Sequence, residues 1–193
     1  GAIQDVIYSP NGKILAVSSS VGIWLYDVES LNSEPHFLDV GWVVKIAYSP
    51  DGRFIASTSN DDYLVRVWDA QTGDAMLTLE GHTNYVNGVT YSPDGQFIAS
   101  ASSDSTLRVW NAETGDAILT LETHSGGYGG LMRVAYSPDK RFIVAGDRDG
   151  TVRVWDAETG DSVHILQGTN SVSGVAYSPD GQFIASASWD DTV

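Results

Sequence analysis

The stretch Tyr91-Ser92-Pro93-Asp94-Gly95-Gln96-Phe97-Ile98-Ala99-Ser100 decides the fold, because it recurs. Its first half returns as Tyr8 to Gly12, Tyr48 to Gly52, Tyr136 to Lys140 and Tyr177 to Gly181. Its second half, Phe-Ile-Ala-Ser, returns at Phe54 and Phe183, with the variant Phe142-Ile143-Val144-Ala145. A further marker runs in phase: Val67-Trp68-Asp69-Ala70-Gln71-Thr72-Gly73 recurs over 109–115 and 154–160. Three markers in one order, at a period of roughly 40 to 45 residues, are the signature of a repeat architecture.

Each unit reads as four short strands. In the third unit, residues 86–91 alternate as a strand does, and Ser92-Pro93-Asp94-Gly95 supplies a type I turn with a left-handed glycine. A second strand is expected over 96–102, a third over 106–111 and a fourth over 117–121, with turns at Ser103-Asp104-Ser105 and Glu113-Thr114-Gly115-Asp116. Lys140 replaces the turn glycine in the fourth unit. A side chain in the left-handed region costs on the order of 1 kcal/mol, so that hairpin is expected to be distorted.

Gly81-His82, Tyr91-Ser92-Pro93-Asp94-Gly95, Ser103-Asp104 and Val67-Trp68-Asp69 resemble the WD40 repeat, over essentially the whole chain. The resemblance, which is to repeats of the bacterial type, implies an all-β fold, a WD40-type β-propeller of radial four-stranded blades. The expected organisation is a single repeat array over 1–193, with blades near 2–40, 43–80, 85–122 and 131–167 and a partial fifth over 172–193. Stacking is also a physical requirement, since one four-stranded sheet cannot bury both apolar faces alone.

The resemblance further implies a hydrogen-bonded set inside each blade, made by a histidine before the first strand, a serine in the second, an aspartate in the next turn and a tryptophan in the third strand. His82, Ser100, Asp104 and Trp110 match it. The second unit keeps Ser57, Asp61 and Trp68, with Asp39 in the histidine's place. The fourth keeps His124, Asp149 and Trp155, with Ala145 in the serine's place; in the first, Tyr26 replaces the tryptophan.

The formal net charge is −15, from 25 acidic and 10 basic residues. So acidic a chain is a poor nucleic-acid binder, because that affinity comes mostly from Lys and Arg. Asp51, Asp94, Asp139 and Asp180 follow Ser-Pro, and Asp74, Asp116 and Asp161 follow Gly; the acidity reads mainly as turn chemistry multiplied by repetition. No stretch is apolar enough to span a bilayer, and the opening Gly1-Ala2-Ile3-Gln4-Asp5, without a basic region followed by an apolar one, is not expected to be a signal peptide. The absence of cysteine excludes disulfides and fits a cytoplasmic location.

Other constellations read as structure. The Ser, His and Asp of this set suggest a hydrolase triad, but a catalytic set occurs once, whereas this one recurs from unit to unit with substitutions. Asp147-Arg148-Asp149-Gly150 begins like a calcium loop and lacks its later acids. Asp61-Asp62 and Asp190-Asp191 occupy equivalent turns, and His36, His82, His124 and His164 have no metal-site spacing. Gly126-Gly127-Tyr128-Gly129-Gly130 lacks the lysine and helix of a phosphate loop and reads as a surface loop. No cofactor or metal is expected.

Positions constant between units are scaffold, so recognition is sought where units differ. The fourth-to-first connection and the second-to-third turn emerge on one face, since strands alternate in direction. At equivalent places on that face stand Ala2, Trp42, Tyr85, Gly130 and Ser171, and Asn60, Ser103, Arg148 and Trp189. Trp42, Tyr63, Tyr85, Tyr128, Arg148 and Trp189 are the candidate partner-binding residues, being of the types enriched in interface hot spots. The expected function is a non-catalytic protein-interaction scaffold that binds a protein or peptide, with no membrane or nucleic-acid partner. A sensor module of a larger signalling ATPase or kinase is the alternative. A propeller enzyme would need an unrepeated cluster of acids or histidines on the innermost strands, and Val86, Asn87, Gly88, Val175 and Ala176 offer none. Four blades and part of another imply a ring completed by further blades or by other copies.

Overall fold

The computed structural model describes residues 1–30, 32–59, 61–123, 130–168 and 170–189. His124, Tyr128, Asn60, most of the glycine-rich loop, Asp190-Asp191 and the start of a fifth third-strand at Thr192-Val193 lie outside the described residues. The described chain contains strands and turns and no helix. Four antiparallel sheets hold four strands each, in sequence order across the sheet. The first comprises β1 (Ile3–Tyr8), β2 (Ile14–Ser19), β3 (Gly22–Asp27) and β4 (His36–Leu38). The second comprises β5 (Lys45–Tyr48), β6 (Phe54–Thr58), β7 (Val65–Asp69) and β8 (Ala75–Leu79). The third comprises β9 (Val86–Tyr91), β10 (Phe97–Ser102), β11 (Thr106–Asn111) and β12 (Ala117–Glu122). The fourth comprises β13 (Leu131–Tyr136), β14 (Phe142–Asp147), β15 (Thr151–Asp156) and β16 (Ser162–Gln167), and β17 (Val172–Tyr177) and β18 (Ile184–Ser188) form a two-stranded sheet.

The Ser-Pro-Asp-Gly turn shows why those four residue types recur. The Ser92 hydroxyl donates to the Asp94 carboxylate at 2.7 Å and accepts the Phe97 N–H at 3.0 Å, so one side chain ties the turn to the next strand. Asp94 also accepts the Gln96 N–H at 3.2 Å, while Gly95 takes φ +73°. Lys140 corrects the expectation of a distorted hairpin. It adopts φ +59°, and its N–H meets Ser137 O at 2.9 Å, the distance that Gly95 N–H makes to Ser92 O. Its ammonium reaches Asp94 in the preceding blade at 2.5 Å, a contact that glycine cannot make and that offsets the backbone cost.

The sheets stack face to face. The first strands of successive sheets, β1, β5, β9, β13 and β17, are neighbours in turn, which places them innermost in a radial array. Between the second and third sheets, Ala56, Val65, Val67 and Leu79 meet Val89, Tyr91, Ile98 and Trp110 in one buried cluster. Between the third and fourth, Ala99, Ala101, Leu107, Val109 and Leu121 meet Leu131, Val134, Ile143 and Trp155. Alternation along each strand thus sends one set of side chains forward and the other back, so every inner blade is buried on both faces. Small residues in the second strands and at Gly88 permit this: a Cβ on Gly88 would stand 3.2 Å from the Arg133 Cα of the next inner strand.

The outermost faces are bare. Ile3, Val6 and Tyr8 are 68%, 49% and 62% exposed, whereas Val86, Val89 and Tyr91, at the same repeat positions, are at most 8% exposed. At the other end Leu166 and Phe183 are exposed, while the leucines equivalent to Leu166, Leu79 and Leu121, are buried.

Candidate functional site

The third blade forms the complete hydrogen-bonded set. The Trp110 indole N–H donates to Ser100 Oγ at 2.9 Å, Ser100 Oγ lies 2.7 Å from His82 Nε2, and His82 Nδ1 lies 2.9 Å from Asp104. Because the ionised Asp104 only accepts, His82 carries its proton on Nδ1 and takes the Ser100 proton at Nε2. Asp104 also accepts Thr83 N–H, Thr106 N–H and the Thr106 hydroxyl. Burial pushes its pKa up, but the bonds from His82 and Thr106 outweigh that and hold it well below the ordinary carboxylate range.

These distances are those of a Ser-His-Asp triad, and accessibility decides against one. Ser100 is 0% exposed, and its oxygen already accepts the indole N–H, so no substrate carbon reaches it. The set is a structural brace.

Elsewhere the brace is reduced. In the second blade Trp68 donates to Ser57 at 2.8 Å, but Asp61 is exposed, and its backbone N–H bonds Ser59. With Asp39 in the histidine's place, nothing draws a second carboxylate inward. In the fourth blade Trp155 is buried and Asp149 is exposed, capping its turn through Thr151 N–H at 2.9 Å; His124 is outside the described residues.

The loop face presents a different population. Trp42, Tyr85 and Trp189 are 42%, 46% and 71% exposed, whereas the repeated Trp68, Trp110 and Trp155 are at most 9% exposed. Tyr63 and Tyr85 come together from adjacent blades, ring centroids 5.6 Å apart and edge to face. Tyr63 holds φ +62°, a left-handed conformation unusual for an aromatic residue, and it aims the ring at Tyr85. Arg148 is exposed and its Nε lies 3.2 Å from the Met132 sulfur. Trp189 is anchored by its backbone N–H on Ser171 O at 3.0 Å. Among the described residues no ring contact joins Trp42 or Trp189 to the tyrosine pair. Tyr128 lies outside the described residues.

The innermost strands carry residues that comparison of Val86 to Gly88 with Val175 and Ala176 misses. At one repeat position stand Asp5, Lys45, Gly88, Arg133 and Gly174. Lys45 Nζ donates to Asp5 at 2.8 Å, with both side chains about four-fifths buried. Arg133 spans Gly88 to donate to Asn87 O at 2.9 Å and also donates to Met132 O at 2.8 Å. Burial lowers the Arg133 pKa, and the Asp5 carboxylate opposes that. The same unit-to-unit comparison, extended to β1, β5 and β13, would have found them. One acid clamped by a lysine is no acid–base pair. Among the described residues no group of three His, Asp or Glu could hold a metal ion, and no helix is long and apolar enough to cross a membrane.

The family described as "WD domain, G-beta repeat" matches residues 33–69, 73–111, 115–156 and 160–193. The chain is 37% identical over 87 residues to Protein TOPLESS-RELATED PROTEIN 2 of Oryza sativa subsp. japonica, covering 42% of this chain and 8% of that protein. It is 44% identical over 61 residues to the Probable serine/threonine-protein kinase PkwA of Thermomonospora curvata, covering 31% and 8%. It is 32% identical over 118 residues to the Chromatin assembly factor 1 subunit FAS2 homolog of Oryza sativa subsp. japonica, covering 55% and 23%. The chain therefore spans less than a quarter of the length of each of these relatives.

Proposed function

The chain belongs to the WD40 repeat family, and from that premise we propose that it is a non-catalytic scaffold whose loop face binds a protein or peptide. The observation that carries this reading is the split between its tryptophans. Those that repeat are buried between blades, while Trp42 and Trp189, which do not repeat, stand exposed on the face where connections converge. Exposed aromatics cost solubility, and they are the side chains that anchor interfaces. Tyr63 and Tyr85 add a rigid two-ring ridge, and Arg148 adds a cation.

The test is capture of partners from a lysate of the source organism by the wild type and by a Trp42→Ala, Tyr85→Ala, Trp189→Ala variant. The reading expects a discrete set of proteins that the variant loses while its thermal transition stays put. Equal capture by both proteins would remove the loop face from the account.

Similarity to a probable serine/threonine-protein kinase supports a second reading, in which this array is the sensing module of a larger signalling protein. Full-length sequence around these residues separates the two at once. In either case the bare Ile3, Val6 and Tyr8 face and the exposed Leu166 and Phe183 support a ring completed by further blades, from the same polypeptide or from other copies. Light scattering on this chain then gives a species larger than one copy, or aggregation; a stable monomer contradicts this part of the proposal.

A further inference from the structure

Two of the asparagines are followed by glycine, Asn11-Gly12 and Asn87-Gly88. In such a pair the glycine amide nitrogen can attack the asparagine Cγ, because no Cβ shields that nitrogen and the glycine backbone turns freely. The same reactive dipeptide thus stands in this molecule twice, and the fold treats the two copies differently.

Asn11-Gly12 forms the tip of the turn between β1 and β2, and both residues are exposed. Nothing lies within 4 Å of the place a Cβ on Gly12 would take. Asn11 Oδ1 accepts the Ser9 hydroxyl at 2.8 Å and the Lys13 N–H at 3.0 Å, and among the described residues no hydrogen bond holds Nδ2, the leaving nitrogen. One bond restrains the attacking nitrogen, from Gly12 N–H to Ser9 O at 2.8 Å. It closes an exposed turn, which opens by local fluctuation.

Asn87-Gly88 lies within β9. Asn87 is 8% exposed, and its Nδ2 donates to Ser103 Oγ and to Leu131 O, both at 2.8 Å. Gly88 is paired with Ala101 in the sheet, and the place of a Cβ on it is 3.2 Å from Arg133 Cα and 3.3 Å from Val134 N of the next blade. The backbone there cannot swing toward Cγ until β9 parts from its neighbours.

An aspartate would also fit position 11. In the four sibling turns Asp51, Asp94, Asp139 and Asp180 accept the equivalent serine hydroxyl at 2.5 to 2.7 Å and the equivalent N–H two residues on at 3.0 to 3.2 Å. Those bonds, the serine's first, hold the Asp51, Asp139 and Asp180 carboxyls below the ordinary range. A carboxylate accepts such bonds more strongly than an amide oxygen does.

We propose that Asn11 deamidates spontaneously in the folded protein, that Asn87 is protected, and that the product at position 11 is the aspartate of the sibling turns. The Gly12 amide gives its proton to solvent hydroxide and its nitrogen bonds to Asn11 Cγ. The Cγ–Nδ2 bond breaks, and Nδ2 takes a proton from water and leaves as ammonia. Water then opens the cyclic imide at the Cγ–N bond. Opening at the main-chain carbonyl instead would insert a methylene between Ser9 and Ile14, whose N–H and O meet at 2.8 Å, so the closed hairpin disfavours the isoaspartyl product.

The test is incubation of the chain at mildly alkaline pH, folded and in urea, with peptide mapping by mass spectrometry. The Asn11→Asp variant supplies the reference peptide. In urea the two pairs should react at similar rates. Folding should slow Asn11 by about tenfold or less, the weight of one exposed hydrogen bond. It should slow Asn87 by at least about a thousandfold, the low end of a folded domain's opening equilibrium. The folded-state product should co-elute with the reference peptide, and Asn11→Asp should raise the urea midpoint at neutral pH. Persistence of Asn11 in the folded protein, equal folded-state rates at the two pairs, a mainly isoaspartyl folded-state product, or an Asn11→Asp midpoint no higher than the wild type's overturns the proposal.

Discussion

Replacing Ser100 by alanine should cost more than making the same change at Ser57, and the structure gives the ratio. Ser100 Oγ serves two buried partners, accepting the Trp110 indole N–H at 2.9 Å and meeting His82 Nε2 at 2.7 Å. Ser57 Oγ meets the Trp68 indole at 2.8 Å, in a blade with no histidine to hold. Leaving a buried donor or acceptor unsatisfied costs about 1–3 kcal/mol, so Ser100→Ala should lose about 2–4 kcal/mol and Ser57→Ala about half that. For a chain of this size, each kcal/mol moves the midpoint by about 2–4 °C. Urea titrations followed by tryptophan fluorescence measure both, since Trp68 and Trp110 are each buried. Neighbouring blades of a repeat array can unfold separately, so coincidence of the fluorescence and circular-dichroism transitions must be checked first. Equal losses at the two serines, or a larger loss at Ser57, would refute the idea that His82 and Asp104 make the third brace stronger.

Three further outcomes follow from particular contacts. A fluorophosphonate probe should leave Ser100 unlabelled in the folded protein, because its oxygen is inaccessible; labelling detected by mass spectrometry would reinstate the triad reading. Lys140→Gly should be nearly neutral in urea melts, since relief of the left-handed backbone, on the order of 1 kcal/mol, offsets loss of the exposed Asp94 pair; Lys140→Ala should lose up to about 1 kcal/mol, because it keeps the strain and drops the pair. Stability should fall as pH drops. Burial pushes the Asp94 pKa up, but Lys140 and Ser92 hold it down at about 2, and Asp104 lies low for the reasons given above. Carboxylates depressed in the folded state contribute stability above the unfolded value of about 3.9 and lose it as pH falls through the folded one, so urea midpoints should decline between about pH 4 and 2. The Asp104→Asn variant should show a shallower decline; an identical slope would contradict the assignment.

Local chemistry was legible in the sequence wherever one unit sufficed. The third blade's strands fall within one residue of the positions expected from alternation and turn residues, and the brace of His82, Ser100, Asp104 and Trp110 closes as the resemblance implied. What resisted reading depends on pairs of units. Asp61 and Asp149 occupy the right position in the repeat, yet both face solvent; in the second blade Asp39 stands where a histidine would draw Asp61 inward. Lys140 looked like a defect from its own hairpin, and its compensation comes from Asp94 in the preceding blade.

The account turns on one division: repeated side chains hold the blades together, and unrepeated ones on the loop face meet the partner. Photo-crosslinking from single positions tests it most directly, with a photoreactive residue placed at 42, 85 or 189 on the loop face and at 74, 113 or 182 on the opposite one. The account predicts that positions 42, 85 and 189 crosslink to one shared protein partner in the source cell and that the other three do not reach it. A partner crosslinked from the opposite positions alone, or equally from both sets, would contradict it.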